Sequence, residues 1–175
     1  IGVRTVEALQ RCYQAPEGVD FLDGGTGGME LMETMANRDH VILIDAVNTG
    51  AEPGSVITLE EEQVPALFRS RISPHQLGIS DLLGVMSLTN ELPKHFTLFG
   101  AVPYSMDTGI ELTDNMRQKL PQLVELVVAK LAALGVSPNP KPDREVFVSG
   151  DGVASGEGFF TTAEDRSAAA VGVSS

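Results

Sequence analysis

Residues 39–50 read Asp39-His40-Val41-Ile42-Leu43-Ile44-Asp45-Ala46-Val47-Asn48-Thr49-Gly50. Four large apolar residues in succession, with no polar alternation, predict a strand covered on both faces. Such a strand needs helices on either side of its sheet. The flanking sequence supplies them. Upstream, Met29, Met32 and Met35 with Ala36 keep a helical spacing, and Val3, Val6, Leu9 and Tyr13 share one helical face. Between these two stretches, Val19-Asp20-Phe21-Leu22 predicts a short strand ending at Asp23 and a glycine turn. Downstream, Ser55-Val56-Ile57-Thr58-Leu59 predicts a strand after the Pro53-Gly54 turn, residues 77–88 a helix and residues 96–102 a further strand. The last helix has the clearest signature, with Met116, Leu120, Leu123, Val127, Leu131 and Leu134 in one stripe at spacings of three and four. Thr113 is its expected N-cap and Gly135 its stop. Strands alternating with helices predict an α/β domain, a three-layer α/β/α sandwich around a mostly parallel twisted sheet.

The chain has 175 residues, of which 42% are apolar, enough for one domain with a real core. Twelve Lys and Arg stand against 24 Asp and Glu, a formal net charge of -12. That balance argues against nucleic-acid binding and against a polybasic membrane surface. Cys12 is the single cysteine, so there is no intramolecular disulfide framework and no Cys-only zinc site, which fits a reducing, cytoplasmic setting. Asp45, Glu125 and Lys130 interrupt the best apolar runs, and no basic-then-apolar leader is present. Composition changes near Gly135. Ser137-Pro138-Asn139-Pro140-Lys141-Pro142 reads as a linker, followed by a Gly-, Ser- and Ala-rich acidic tail. The expectation is a domain over residues 1–136 and a disordered segment over residues 137–175.

In open α/β sheets the chemistry collects beyond the carboxyl ends of the strands. Asp23 and Asp45 occupy such ends. A carboxylate at the rim of a buried strand is costly unless it is paired, hydrogen-bonded or bound to a cation, so Asp45 is either a site residue, a loop cap or the partner of a nearby Arg. In Ile72-Ser73-Pro74-His75-Gln76-Leu77-Gly78, Ser73 as N-cap and Pro74 at the first helical position put His75 in a first helical turn. The helix dipole there favours a neutral imidazole, the form a metal ligand needs; the alternative is a surface histidine. His40 and His95, each just before a strand, read as structural or exposed. Asp23-Gly24-Gly25-Thr26-Gly27-Gly28 joins a strand to a helix and lacks the Lys-Ser/Thr of a P-loop. It reads as a tight turn, or as a loop along which an extended peptide can lie with Asp23 as a polar handle. Cys12 reads as a small core residue, and no Gly-x-Ser-x-Gly elbow is present.

Taken together, Ile1-Gly2-Val3-Arg4, Asp23-Gly24-Gly25-Thr26, Gly28-Met29-Glu30-Leu31, Ala36-Asn37-Arg38-Asp39-His40, Ile44-Asp45-Ala46, Val64-Pro65-Ala66-Leu67-Phe68 and the His75 segment resemble the nickel-iron hydrogenase maturation endopeptidases, most closely the uptake-hydrogenase type. The order and spacing of these segments extend over roughly residues 1–136. The resemblance implies a single α/β/α domain without a permanently bound cofactor. It implies a protease that acts on the precursor of the hydrogenase large subunit after nickel insertion and removes its C-terminal extension. It further implies a monomer with no nucleic-acid or membrane partner. Asp45 and His75 map to side chains that reach the substrate's nickel. Asp23 maps to the acid of the family's glycine-rich loop, which serves cleavage or recognition, with Gly24, Gly25 and Thr26 beside it. A carboxylate and an imidazole suit nickel better than calcium, and two ligands are too few for a permanent site.

The family begins with a central strand, a Gly-x-Gly-Asn turn and a first acidic ligand, whereas this chain starts at Ile1, in what reads as a helix. The expectation is an incomplete N-terminus short of about 15–20 residues, one strand with its loop. A second possibility lies in the tail. Arg144-Glu145-Val146-Phe147-Val148-Ser149-Gly150-Asp151-Gly152 reads as a strand and a Gly-x-Gly turn, with Glu157 following as a stand-in acid. On this permuted reading the tail fills the central strand position.

Overall fold

The computed structural model describes residues 1–25, 28–69, 79–104, 112–142 and 168–173. Helix α1 (Gly2–Cys12) leads through the two-residue β1 (Tyr13–Gln14) to β2 (Val19–Gly25). Then come α2 (Gly28–Met35), β3 (His40–Ala46), β4 (Val56–Glu60), α3 (Gln63–Arg69), α4 (Ile79–Thr89) and β5 (His95–Ala101). The chain continues through α5 (Asp114–Arg117), α6 (Leu120–Ala133), β6 (Asn139–Pro140) and β7 (Ala168–Val173).

The five-stranded sheet has the order β2-β7-β3-β5-β4. Strands β3 and β5 pair in parallel, and β7 pairs antiparallel with both β2 and β3, so β2, β3 and β5 run in one direction. The antiparallel β4 lies at the edge beside β5. Three of five strands share a direction, but only one of the four pairings is parallel, so the expected mostly parallel sheet is corrected to a mixed one, because β7 enters antiparallel between β2 and β3 and β4 adds antiparallel at the edge. Strand alternation separates the core into two layers. Ile42 and Ile44 of β3 pack with α1 and α6 residues such as Leu9, Leu123 and Val127. Val41 and Leu43 face the other way, toward Met35 of α2, Val64 and Phe68 of α3 and Leu82 and Met86 of α4. This double covering is why the apolar run of β3 has no polar alternation.

The long final helix is divided. Pro121 has no N–H to offer the carbonyl of Arg117, four residues back, and its ring crowds that carbonyl. Helix α5 ends at Arg117, and α6 restarts with Pro121 in its first turn. The apolar stripe survives the break: Met116, Leu120, Leu123, Val127 and Leu131 are all buried in one layer. The expected ends hold. Thr113 caps α5 by accepting the Met116 N–H at 3.4 Å. Gly135 takes φ +81°, with the Val136 N–H bonded to the Leu131 carbonyl and the Gly135 N–H to the Ala132 carbonyl.

The expected disordered segment over residues 137–175 needs correction at both ends. Asn139 and Pro140 pair with Gln14 and Tyr13, and Ala168–Val173 enter the middle of the sheet. Val171 is completely enclosed between the α1/α6 layer and its neighbours. The backbone donors and acceptors of two adjoining buried strands need partners, and a terminal segment of small residues supplies them on both sides. The strand expected at Arg144–Ser149 and the acid Glu157 lie outside the described residues.

Candidate functional site

Asp45 is the sixth residue of β3, where the apolar run reaches the carboxyl edge of the sheet. It is half-buried, and its Oδ1 accepts the N–H of Ala46 at 2.7 Å. In the ladder it stands beside Gly100 of β5 on one side and Ala168 of β7 on the other. Asp23 is the fifth residue of β2, exposed, opposite Ala169 of β7, just before a register irregularity between Asp23 and Gly25. Gly24 is buried and Gly25 closes the strand.

The two acids therefore sit at the same end of the sheet with one strand between them, about 10 Å at the usual strand spacing. Their faces differ. Asp23 lies across from Ala169, which lies across from Ile44, so it shares the α1/α6 side; Asp45, one residue on, takes the α2/α3/α4 side. An arrangement of this kind gives the acids separate surroundings rather than one shared carboxylate pair. Thr26 and His75 lie outside the described residues. Among the described residues, no three His, Cys, Asp or Glu side chains converge to hold a metal ion.

Gly100 belongs to this edge as well. It interrupts the strand Phe96-Thr97-Leu98-Phe99, and an isolated glycine inside a strand signals close approach by another part of the chain. Here it is the direct parallel partner of Asp45.

The histidines His40 and His95 open β3 and β5, at the opposite end of the sheet from the acids. His40 is buried, with its Nε2 2.9 Å from Thr97 Oγ1, and its ring stacks on His95 at 5.9 Å between centroids. Burial pushes His40 below the ordinary histidine value, and Lys130 pushes in the same direction. The exposed His95 Nδ1 is 3.1 Å from Glu61 Oε1. Lys130 Nζ donates to Glu60 Oε1 at 2.7 Å and holds that carboxyl below its usual range. This end is a structural cluster, as expected for histidines preceding strands. Cys12 is buried with its thiol free of any disulfide, a small core residue. No described helix is long and apolar enough to cross a membrane.

The family model HycI, described as hydrogenase maturation protease, matches residues 3–130. The chain is 47% identical to the Hydrogenase 2 maturation protease of Escherichia coli (strain K12) over 142 residues, 81% of this chain and 87% of that one. It is 33% identical to the hydrogenase expression/formation protein HupD of Rhizobium leguminosarum bv. viciae, covering 81% of this chain and 71% of that protein. Among solved structures, the hydrogenase maturating endopeptidase HybD from E. coli superposes with a TM-score of 0.73 at 46% identity, covering 81% of this chain and 88% of that one. A hydrogenase 2 maturation peptidase from Thaumarchaeota archaeon SCGC_AB-539-E09 matches with a TM-score of 0.51 at 27% identity, over 77% and 87% of the two chains.

Proposed function

Since the chain belongs to the hydrogenase maturation protease family of endopeptidases, we propose that it cleaves the C-terminal extension from the large-subunit precursor of a nickel-iron hydrogenase, conditional on the nickel already held by that precursor. The observation that carries this reading is Asp45: a half-buried carboxylate at the carboxyl rim of β3. Such a group is poised to meet a cation brought by another molecule. With one carboxylate from β3 and the imidazole of His75, the chain offers too few ligands for a permanent site and binds free Ni2+ only weakly. It offers enough to probe a metal that the substrate presents, so nickel arrives with the substrate and no resident cofactor is required.

The chemistry is hydrolysis of one peptide bond. Water adds to the scissile carbonyl carbon, the C–N bond breaks, and the amine of the extension leaves with a proton. Nickel held by the precursor supplies polarisation of the carbonyl or of the water. Asp45 and His75 orient the precursor by contacting its metal. Asp23, exposed on the other face beside buried Gly24, meets the peptide on this reading, either as a base or as a hydrogen-bond acceptor. The separate faces of the two acids favour this division of labour over a shared-proton pair of the aspartic-protease kind, which needs both carboxylates in contact. The acting species is a monomer in the cytoplasm.

The test is incubation of the purified chain with nickel-loaded and nickel-free precursor, read by the mass of the large subunit. Loss of the extension from the loaded form alone is expected. Equal cleavage of both forms overturns the nickel requirement, and no cleavage of either overturns the assigned substrate.

A further inference from the structure

We propose that Gly100 and Val47 are positioning residues for Asp45: the missing side chain at Gly100 forms a notch that seats Val47, and that seat aims the Asp45 carboxylate. This rests on the reading of Asp45 as the residue that contacts the substrate's nickel.

Gly100 and Asp45 are direct parallel partners, so a side chain at position 100 would point to the same face as Asp45. That space is already taken. A Cβ built on Gly100 would lie 2.3 Å from Cγ2 of Val47, 3.2 Å from its Cγ1 and 3.0 Å from Cγ1 of Ile57. Val47 is the second residue after Asp45 and is 0% exposed, packed in the α2/α3/α4 layer. Its N–H donates to the carbonyl of Ala101 at 2.9 Å, next to the notch. The chain leaving β3 is thus pinned to β5 by one hydrogen bond and one apolar plug within two residues of Asp45. Ala46, held between Asp45 and that plug, directs its N–H to Asp45 Oδ1 at 2.7 Å. One carboxylate oxygen is engaged in this way, which restrains the rotation of the group. A methyl group at position 100 must displace Val47, since 2.3 Å is closer than a real Cβ contact comes and χ1 of the buried, β-branched Val47 is stiff. The displaced plug moves the Ala46 N–H and turns the carboxylate with it.

The variants are Gly100→Ala, Gly100→Ala with Val47→Ala, and Asp45→Asn alone or combined with Gly100→Ala, all in the full chain. Val47→Leu overfills the same notch from the other side and serves if Gly100→Ala does not fold. Two readouts are used besides unfolding: the amide shift of Ala46 by NMR, and affinity for Ni2+ alone by calorimetry. Gly100→Ala is expected to move the Ala46 amide and to weaken Ni2+ at least tenfold. Val47→Ala is expected to restore most of both, because it removes two methyl groups where one is added. In the Asp45→Asn background, Gly100→Ala is expected to change Ni2+ affinity less than twofold, since its effect runs through Asp45. An unmoved Ala46 amide overturns the proposal, as does an equal loss of Ni2+ affinity in both backgrounds, which is what a purely structural glycine would give. Unchanged Ni2+ affinity in Asp45→Asn overturns the nickel role of Asp45 instead. The Ala46 amide then decides the seat by itself: movement on Gly100→Ala with return on Val47→Ala supports it, and no movement overturns it.

Discussion

Replacing Val171 with alanine tests whether the C-terminal segment is a working member of the sheet. Val171 is 0% exposed and lies in the layer formed with α1, β2, β3 and α6. The substitution deletes two buried methyl groups, each contributing about 0.8 kcal/mol of transfer free energy. The cavity left between rigid neighbours raises the total to about 2–3 kcal/mol. For a domain of this size that loss lowers Tm by about 4–12 °C. The assay is urea unfolding followed by far-ultraviolet circular dichroism, with an unchanged slope required so that the midpoint reports stability. Leu88→Ala is the control, because Leu88 is 89% exposed and its truncation should stay within about 0.5 kcal/mol. If Val171→Ala also stays within about 0.5 kcal/mol, β7 does not complete the sheet.

Further outcomes are expected at other positions. Burial, reinforced by Lys130, lowers His40 below 6.5, so the unfolded chain takes up this proton first and His40 contributes stability that is full above about pH 6.5 and lost as pH falls through the lowered folded value. The urea midpoint should therefore fall less between about pH 7.5 and 5 in His40→Gln than in the wild type; equal slopes would remove His40 as the cause. Gly84, inside α4 with open space around it, should gain about 0.5–1 kcal/mol on change to alanine, whereas Gly135→Ala at φ +81° should lose about 1–2 kcal/mol, both read by thermal melts. Thr113→Ala removes the cap on the Met116 N–H and should cost about 1 kcal/mol in the same melts, with no change in Ni2+ affinity. His75→Ala and Asp45→Asn should each abolish processing of nickel-loaded precursor while circular dichroism stays native, and His95→Ala should process normally; an active His75→Ala would remove that residue from the site.

Local periodicity and turn chemistry are legible in the residues alone. The run Val41–Ile44 announced a strand covered on both faces because no polar residue interrupts it, and the stripe from Met116 to Leu131 announced a helix because its spacing matches 3.6 residues per turn. Thr113 and Gly135 marked their ends because capping and positive φ act within a few residues. The position of Asp45 near the end of β3 is legible for the same reason, whereas β2 runs past Asp23 through Gly24 to Gly25, where a strand end and a glycine turn are expected; the order of the family's segments says more than any one residue does. Pro121 was equally visible, yet the helix it divides was read as continuous because the apolar stripe runs through the break. Long-range pairing and packing settle what those local signals leave open. Pairing across more than 120 residues put Ala168–Val173 between β2 and β3, and nothing in so short a run of Ala, Val and Gly states its partners. Ladder register put Asp23 and Asp45 on opposite faces of one edge, a relation set by the intervening strand rather than by either neighbourhood. The notch at Gly100 exists because Val47, far away in sequence, fills the space its side chain would need, and close packing between distant segments is a property of the folded interior alone.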